Sequence, residues 1–140
     1  MTNNNFSTSF NIRGIYNEKY ELRFPGLYNI YNALSAIIVC KKMGISYDDI
    51  KKALLDVTIK GRMEVVISNE KFKVIVDYAH NPVSMENLLL TLKEYNPKRL
   101  VSVFGCGGNR SKERRFGMGR ISAKYSDFSI LTADNSRFEK

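Results

Sequence analysis

A chain of 140 residues is long enough for one ordinary domain or for parts of two, and its 44% hydrophobic and 11% aromatic content is typical of a folded protein. Its longest apolar run is far too short to cross a bilayer and its first five residues lack a signal pattern, so we expect a cytoplasmic protein without a membrane partner. The two cysteines have no pairing partner or metal-ligand spacing nearby, which indicates reduced thiols and no metal site.

The net charge of +8 is unevenly distributed along the chain. Residues 98–124 hold eight of the 22 basic residues and only one of the 14 acidic residues, so nearly all of the excess lies around one segment. A surface for nucleic acid usually spreads along a whole face and carries interleaved aromatic residues. We therefore expect a local anionic ligand and no nucleic acid, with a solvated basic helix as the alternative explanation.

In the first part of the chain, alternating apolar and polar residues predict strands at 6–12 and 20–24 that form an antiparallel pair. Helical periodicity then predicts a helix over 29–43 that ends at Gly44, and a second, shorter helix that is capped by Ser46. The expected buried side of the first helix is formed by Ile30, Ala33, Leu34, Ile37 and Ile38.

The pattern changes after a junction at 60–64. Two apolar runs, at 65–67 and 73–76, predict either a hairpin or two successive strands. Helices then alternate with strands, which predicts an α/β fold with a mainly parallel sheet and right-handed crossovers. The predicted helices span 83–94 and 116–125, and the predicted strands between and after them span 100–104 and 128–131.

Polar clusters follow three of the predicted strands, at 77–82, 105–110 and 134–137. Because the carboxyl ends of parallel strands meet at one edge of a sheet, we expect the three clusters to lie together along one edge. Asn81 is placed to cap the next helix, with Pro82 in its first turn. A binding site for a small polar ligand is the prediction that explains all three clusters at once.

Each cluster also has a purely structural explanation. Asp77 and Asn81 are ordinary turn and cap residues, and the lone His80 could be a hydrogen-bonded structural residue. The glycines of 105–110 could serve only to turn the chain, whereas glycines before a helix are also typical of a phosphate site. Arg137 is compatible with a plain surface position, so the residues by themselves leave both explanations open.

Five motifs, in order and with approximate spacing, resemble those of the Mur ligases. The resemblance implies that residues 1–61 form the end of a central ATP-binding domain and that 62–140 form the first half of a Rossmann-like C-terminal domain. The chain would then be an internal part of a longer ligase. The motifs that carry the resemblance are 29–36, 61–64, 77–82, 105–110 and 134–137.

The activity that the resemblance implies is ATP-dependent amide ligation in peptidoglycan synthesis, during cell-wall biogenesis. The similarity is greatest to members that add meso-diaminopimelate to UDP-N-acetylmuramoyl-L-Ala-D-Glu through an acyl phosphate. These substrates are the implied partners, ATP and Mg²⁺ are the implied cofactors, and the complete enzyme is expected to be a monomer. The Mg²⁺ ligands are expected outside this chain, because no Gly-Lys-Thr or Gly-Lys-Ser phosphate loop is present in it.

The resemblance also assigns site residues by position in this sequence. It implies ATP binding by Asn32, Arg62, Asp77 and His80. It implies binding of the amino-acid substrate by Arg110, Asp134, Asn135 and Arg137. No catalytic residue and no metal ligand is assigned within the 140 residues, and we expect the chain alone to be inactive.

Departures from the family pattern and two alternatives accompany this interpretation. Asn81 replaces a commoner threonine and Phe116 a common proline, neither at a charge-bearing position. Ser136 stands where the family motif usually has proline, although the neighbouring asparagine and arginine remain. Ligases of the cyanophycin-synthetase or folylpolyglutamate-synthetase type share the type of loop at 77–82, but they are not expected to combine the loops at 105–110 and 134–137. A noncatalytic basic binding module would leave the polar clusters unexplained.

Overall fold

The computed structural model describes residues 7–14 and 17–139. The chain divides into two units, Met1–Tyr78 and Ala79–Lys140. The domain boundary predicted at residue 61 concerns the longer protein and stays a prediction. The first unit contains β1 (Thr8–Ile12), β2 (Glu18–Leu22), α1 (Leu27–Lys42), α2 (Tyr47–Asp56), β3 (Glu64–Ser68) and β4 (Lys73–Val76). The second unit contains α3 (Pro82–Lys93), β5 (Val101–Phe104), α4 (Lys112–Tyr125) and β6 (Phe128–Leu131).

The antiparallel pair predicted near the start of the chain is confirmed. Phe10 on β1 lies opposite Tyr20 on β2, and their rings stack with centroids 5.7 Å apart. The predicted first strand began at Phe6, which lies outside the described residues. The core of this unit joins the strand pair to both helices, and its buried members are Tyr20, Leu22, Ala33, Ile37 and Ile50.

The prediction that Ile38 belongs to the buried side of α1 is wrong, since its side chain is 40% exposed. Ala33 and Ile37 are buried and lie one turn apart on the helix. Ile38 lies about 100° around the helix from Ile37, at the edge of this narrow stripe. The apolar periodicity therefore located the buried face correctly but overestimated its width.

The helix ends follow the predicted local chemistry. Gly44 ends α1 with a φ of 82°, where a residue without a Cβ avoids steric cost. The Ser46 hydroxyl accepts a hydrogen bond of 3.1 Å from the Asp49 backbone N–H at the start of α2. In the second unit the Asn81 side chain accepts from the Ser84 N–H at 2.9 Å, which confirms Asn81 as the cap of α3.

β3 and β4 form an antiparallel hairpin, which decides between the two arrangements that their sequence allows. The Asn69 side chain stabilises the connecting turn by accepting hydrogen bonds of 2.9 Å from the Lys71 and Phe72 N–H groups. Among the described strands, β4 pairs with β3 and β5 pairs with β6. The prediction that three strand ends belong to one sheet is therefore wrong, because β4 and β5 belong to separate two-stranded sheets.

The second unit confirms the predicted parallel arrangement and the α/β class. β5 and β6 are parallel, with Val101 opposite Phe128 and Phe104 opposite Leu131, and α4 connects them. The core of this unit lies between α3 and α4 and the strand pair, and its buried members are Met85, Leu89 and Met118. No helix in the described part of the chain is long and apolar enough to span a membrane.

A row of three serine hydroxyls, two of them on buried residues, joins β5, α4 and β6. Ser122 of α4 is fully buried, and its hydroxyl lies within hydrogen-bond distance of the hydroxyls of Ser102 and Ser129, the latter at 2.6 Å. The core between α4 and the strands therefore contains a polar contact whose members satisfy one another.

Replacing Ser122 with alanine is expected to lower the free energy of unfolding by about 1–3 kcal/mol, because the buried Ser102 hydroxyl would lose a hydrogen-bond partner and Ser129 would lose its bond to α4. Chemical denaturation of the purified protein measures this change. Ser126→Ala is the matched control, because the Ser126 hydroxyl is buried without a hydrogen-bond partner among the described residues. An equal loss in both variants would show that the serine row adds nothing specific.

Candidate functional site

Two loops leave the same edge of the parallel strand pair. The first loop, residues 105–111, follows β5, and the second loop, residues 132–139, follows β6. The Thr132 N–H donates to the Phe104 carbonyl at 3.0 Å, and the Gly108 N–H donates to the Asn135 carbonyl at 2.7 Å. The structure therefore brings together two of the three polar clusters that the sequence predicts at strand ends.

Two glycines allow the loops to approach each other closely. A Cβ on Gly105 would lie 2.6 Å from the Thr132 carbonyl oxygen, and one on Gly108 would lie 1.9 Å from the Ser136 carbonyl oxygen. The left-handed backbone conformation occurs instead at Asn109 and Arg137, with φ of 53° and 52°. The glycines of the first loop thus serve close contact with the second loop rather than a positive φ.

Three side chains, Asn109, Arg115 and Glu139, hold the two loops and the start of α4 together, and we call them the loop clamp. One carboxylate oxygen of Glu139 accepts from the Asn109 N–H at 2.8 Å, and the other pairs with the Arg115 guanidinium. The Asn109 side-chain oxygen accepts from the Phe138 N–H at 3.1 Å. The loop clamp therefore connects both loops to a rigid helix.

The loop clamp has no role among those predicted from the sequence. α4 begins at Lys112, four residues before the predicted start at 116, because the first turn is basic and carries no apolar periodicity. Arg115 consequently lies on the helix rather than in the loop. Its partner Glu139 is 24 residues further along the chain, so no local sequence signal relates the two residues.

The four residues predicted to bind the amino-acid substrate all lie in these loops. Arg110 belongs to the first loop, and Asp134, Asn135 and Arg137 belong to the second. All four side chains are exposed, and the Arg137 N–H donates to the Asn135 side-chain oxygen at 3.1 Å. Asp134 also lines a cavity of about 300 Å³ between the loops, together with Arg115 and Glu139.

The electrostatic environment of Glu139 favours its charged form. The hydrogen bond from Arg115, followed by the one from the Asn109 N–H, lowers the pKa of the Glu139 carboxyl below its ordinary value of 4.5. A carboxyl whose pKa is lowered by folding stabilises the fold above its ordinary pKa and loses this contribution as the pH falls through the lowered value. The loop clamp is therefore present at neutral pH and weakens only in acid.

We expect the amide resonance of Asn109 to shift on acidification with a midpoint below 4.5, because protonation of Glu139 weakens the bond that this amide donates. Titration of the protein by two-dimensional NMR measures the midpoint. In Glu139→Gln the transition should disappear. A midpoint at or above 4.5 would contradict the proposed effect of Arg115.

The first unit contains three of the residues predicted to bind ATP. The Asp77 carboxylate accepts from the Met63 N–H at 2.9 Å, and the Arg62 guanidinium lies 4.6 Å from the centre of the Tyr78 ring. Burial, followed by the charge of Asp77, raises the pKa of Tyr28 to about 12, and Arg62 opposes this rise. Arg62, Asp77 and Tyr28 therefore share one electrostatic environment.

Asn32, on α1, belongs to the same unit. It is exposed and follows Tyr28 by four residues, a spacing that places both on one face of the helix. His80, the fourth residue predicted to bind ATP, is exposed and belongs to the second unit. Within residues 7–14 and 17–139, no three His, Cys, Asp or Glu side chains form a group that could hold a metal ion.

Comparison with protein families gives a match over more than half of the chain. The family profile described as "Mur ligase, glutamate ligase domain" matches residues 61–140. The match contains both loops and the loop clamp.

Curated proteins similar to this chain include the UDP-N-acetylmuramoyl-L-alanyl-D-glutamate--2,6-diaminopimelate ligase of Alkaliphilus oremlandii, which is 44% identical over 124 residues. The protein of the same name from Clostridium perfringens is 46% identical over 132 residues. These alignments cover 88% and 93% of this chain but only 26% and 27% of the relatives. The chain thus spans about a quarter of the length of the curated relatives it matches.

Solved structures of ligases have a similar fold. One, of a ligase with the same name as the two curated relatives, is 30% identical with a TM-score of 0.56 and covers 94% of this chain and 27% of its own. Another is the UDP-N-acetylmuramoylalanyl-D-glutamyl-2,6-diaminopimelate--D-alanyl-D-alanyl ligase from Acinetobacter baumannii. It is 26% identical with a TM-score of 0.75 and covers 91% of this chain and 29% of its own.

Proposed function

Because this chain belongs to the Mur ligase family, whose glutamate ligase domain matches residues 61–140, we propose that it forms part of an ATP-dependent ligase of peptidoglycan synthesis. The ligase would join meso-diaminopimelate to UDP-N-acetylmuramoyl-L-Ala-D-Glu. The names of the curated relatives support this substrate pair. The observation that carries the proposal is the pair of loops, connected by the Gly108–Asn135 hydrogen bond, that holds Arg110 and Arg137 at one strand edge.

The side chains of the two loops suit a free amino acid with two carboxylates and two ammonium groups. The guanidinium groups of Arg110 and Arg137 can each bind a carboxylate through two parallel hydrogen bonds. The Asp134 carboxylate, which lines the cavity between the loops, can accept from an ammonium group. We propose that these residues hold the substrate so that its amine can attack an activated carboxyl group, an effect of positioning and fixed charge.

The first unit contributes residues suited to a nucleotide. Asp77 and Arg62 share one electrostatic environment with Tyr28, which lies one helical turn before the exposed Asn32. This mixture of an acceptor, a cation and an amide fits a ribose, a phosphate and a base. When bound, ATP would supply the phosphoryl group that activates the carboxylate of the UDP-linked dipeptide. We propose that Asn32, Arg62, Asp77 and His80 bind and orient the nucleotide, and that Mg²⁺ is held by residues outside this chain.

We also propose that the complete protein acts in the cytoplasm as a monomer, without nucleic acid as a partner. The 140-residue chain by itself should be inactive, because its sequence lacks a phosphate loop ending in Gly-Lys-Thr or Gly-Lys-Ser.

Phosphate release by the full-length protein tests the proposal. We expect release from ATP that requires both the UDP-linked dipeptide and meso-diaminopimelate, with the tripeptide product detected by mass spectrometry. Lysine in place of meso-diaminopimelate should be a poor substrate, since it lacks the second carboxylate. Efficient use of lysine, or turnover only with folate or cyanophycin substrates, would refute the substrate assignment. Turnover by the 140-residue chain alone would refute its predicted inactivity.

A further inference from the structure

Arg110 and Arg137 belong to different loops, and their relative position depends on contacts between these loops. Arg110 directly follows Asn109, and Arg137 directly precedes Phe138. The Asn109 side-chain oxygen accepts from the Phe138 N–H, so one asparagine connects the backbone beside one arginine to the backbone beside the other. Asn109 therefore links the backbones beside the two arginines directly, in addition to the Gly108–Asn135 hydrogen bond between the loops.

Glu139 stabilises the same contact between the two loops by binding Asn109 and Arg115. Its carboxylate accepts from the Asn109 N–H and pairs with Arg115 in the first turn of α4. About a third of each charged side chain remains exposed, so the ion pair itself adds little to global stability. The ion pair matters more for the position of the loops. It attaches them to α4, which is itself packed into the core through Met118.

Backbone conformation makes Asn109 suited to this task. Its φ of 53° lies in the left-handed region, which asparagine tolerates better than most residues. In this conformation its N–H donates to Glu139 while its side-chain oxygen accepts from Phe138. Glycine would retain the backbone geometry without strain but would lose the acceptor.

We propose that Asn109 and Glu139 are positioning residues that fix the spacing of Arg110 and Arg137 for a substrate bearing two carboxylates. This inference rests on the proposed function, because the two arginines are substrate ligands only if the ligase reaction is correct. Neither positioning residue needs to touch the substrate. They act through the loop backbones, and a small displacement of a binding group can reduce reaction rates greatly.

Steady-state kinetics of the full-length protein tests this inference. Asn109→Gly should raise the KM for meso-diaminopimelate about tenfold and leave the KM for ATP within about twofold, a difference that a general loss of stability would not produce. Compared with Asn109→Gly, the Asn109→Asp variant should retain most of the affinity for meso-diaminopimelate, because a carboxylate oxygen can still accept from the Phe138 N–H. Glu139→Gln should raise the same KM, since the charged pair with Arg115 is lost.

The matched control is Asn96→Gly. Asn96 has a φ of 47° and lies in the turn after α3, outside both loops, and its replacement should leave both KM values unchanged. An equal rise in both KM values in Asn109→Gly, or no change in either, would overturn the positioning role while leaving the proposed function intact. A wild-type protein that does not use meso-diaminopimelate would overturn the proposed function, and the positioning role with it.

Discussion

Replacing Gly108 with alanine is expected to force the two loops apart and to destabilise the second unit by about 3 kcal/mol. A Cβ at this position would lie 1.9 Å from the Ser136 carbonyl oxygen, which is a backbone atom and cannot move as a flexible side chain can. The bond from the Gly108 N–H to the Asn135 carbonyl would be lost as well. Chemical denaturation measures the loss of stability. A kinetic assay of the full-length protein measures the effect of separating the two loops.

Gly119→Ala is the matched control for this prediction. Gly119 lies within α4, and a Cβ there would meet no atom within 4 Å. Because alanine favours a helix interior more than glycine does, this variant should gain about 0.5–1 kcal/mol of stability. If Gly108→Ala is as stable as Gly119→Ala, the loops do not require the close contact seen between 108 and 136.

Replacing Arg137 with lysine is expected to lower kcat/KM for meso-diaminopimelate about 100-fold, because an ammonium group cannot form the paired hydrogen bonds of a guanidinium. The KM for ATP should be unchanged, since none of the proposed nucleotide residues lies in either loop. Steady-state kinetics with each substrate varied in turn measures the difference. Arg120→Lys, an exposed exchange on α4 outside both loops, should have no effect.

A second substitution at the same position separates recognition from folding. Arg137 has a φ of 52°, a conformation that strains most residues other than glycine. Arg137→Gly should therefore retain or increase stability while losing the same affinity for the amino acid. If the glycine variant unfolds more readily than the wild type, the arginine is needed for the loop structure and its proposed role in substrate binding loses support.

Much of the fold follows from patterns within short segments. The sequence predicted the strand at 128–131 and the Asn81 cap of α3, and the structure has both. Helix periodicity and capping depend on residues three or four positions apart, so they are visible in the chain itself. The same local signals placed the glycine-rich loop after β5 and the polar cluster after β6.

Errors occurred where partners are distant or where two local solutions compete. The ends of three strands were expected in one sheet, but β4 pairs with β3 through a short turn that Asn69 stabilises. No individual role was predicted for Arg115, although it pairs with Glu139. The β4–β3 pairing and the Arg115–Glu139 ion pair cannot be predicted from periodicity. Each depends on which of several compatible partners the folded chain brings close.

The amino-acid sequence by itself determined the α/β class, the helix and strand positions, the caps and the location of the two loops, because these depend on local conformational preferences. Only the tertiary structure decided how the loops are joined. The Asn109–Glu139 and Arg115–Glu139 contacts span 30 and 24 residues, and their formation depends on the parallel pairing of β5 with β6. That pairing brings the loops close enough for Asn109 to set the spacing of Arg110 and Arg137.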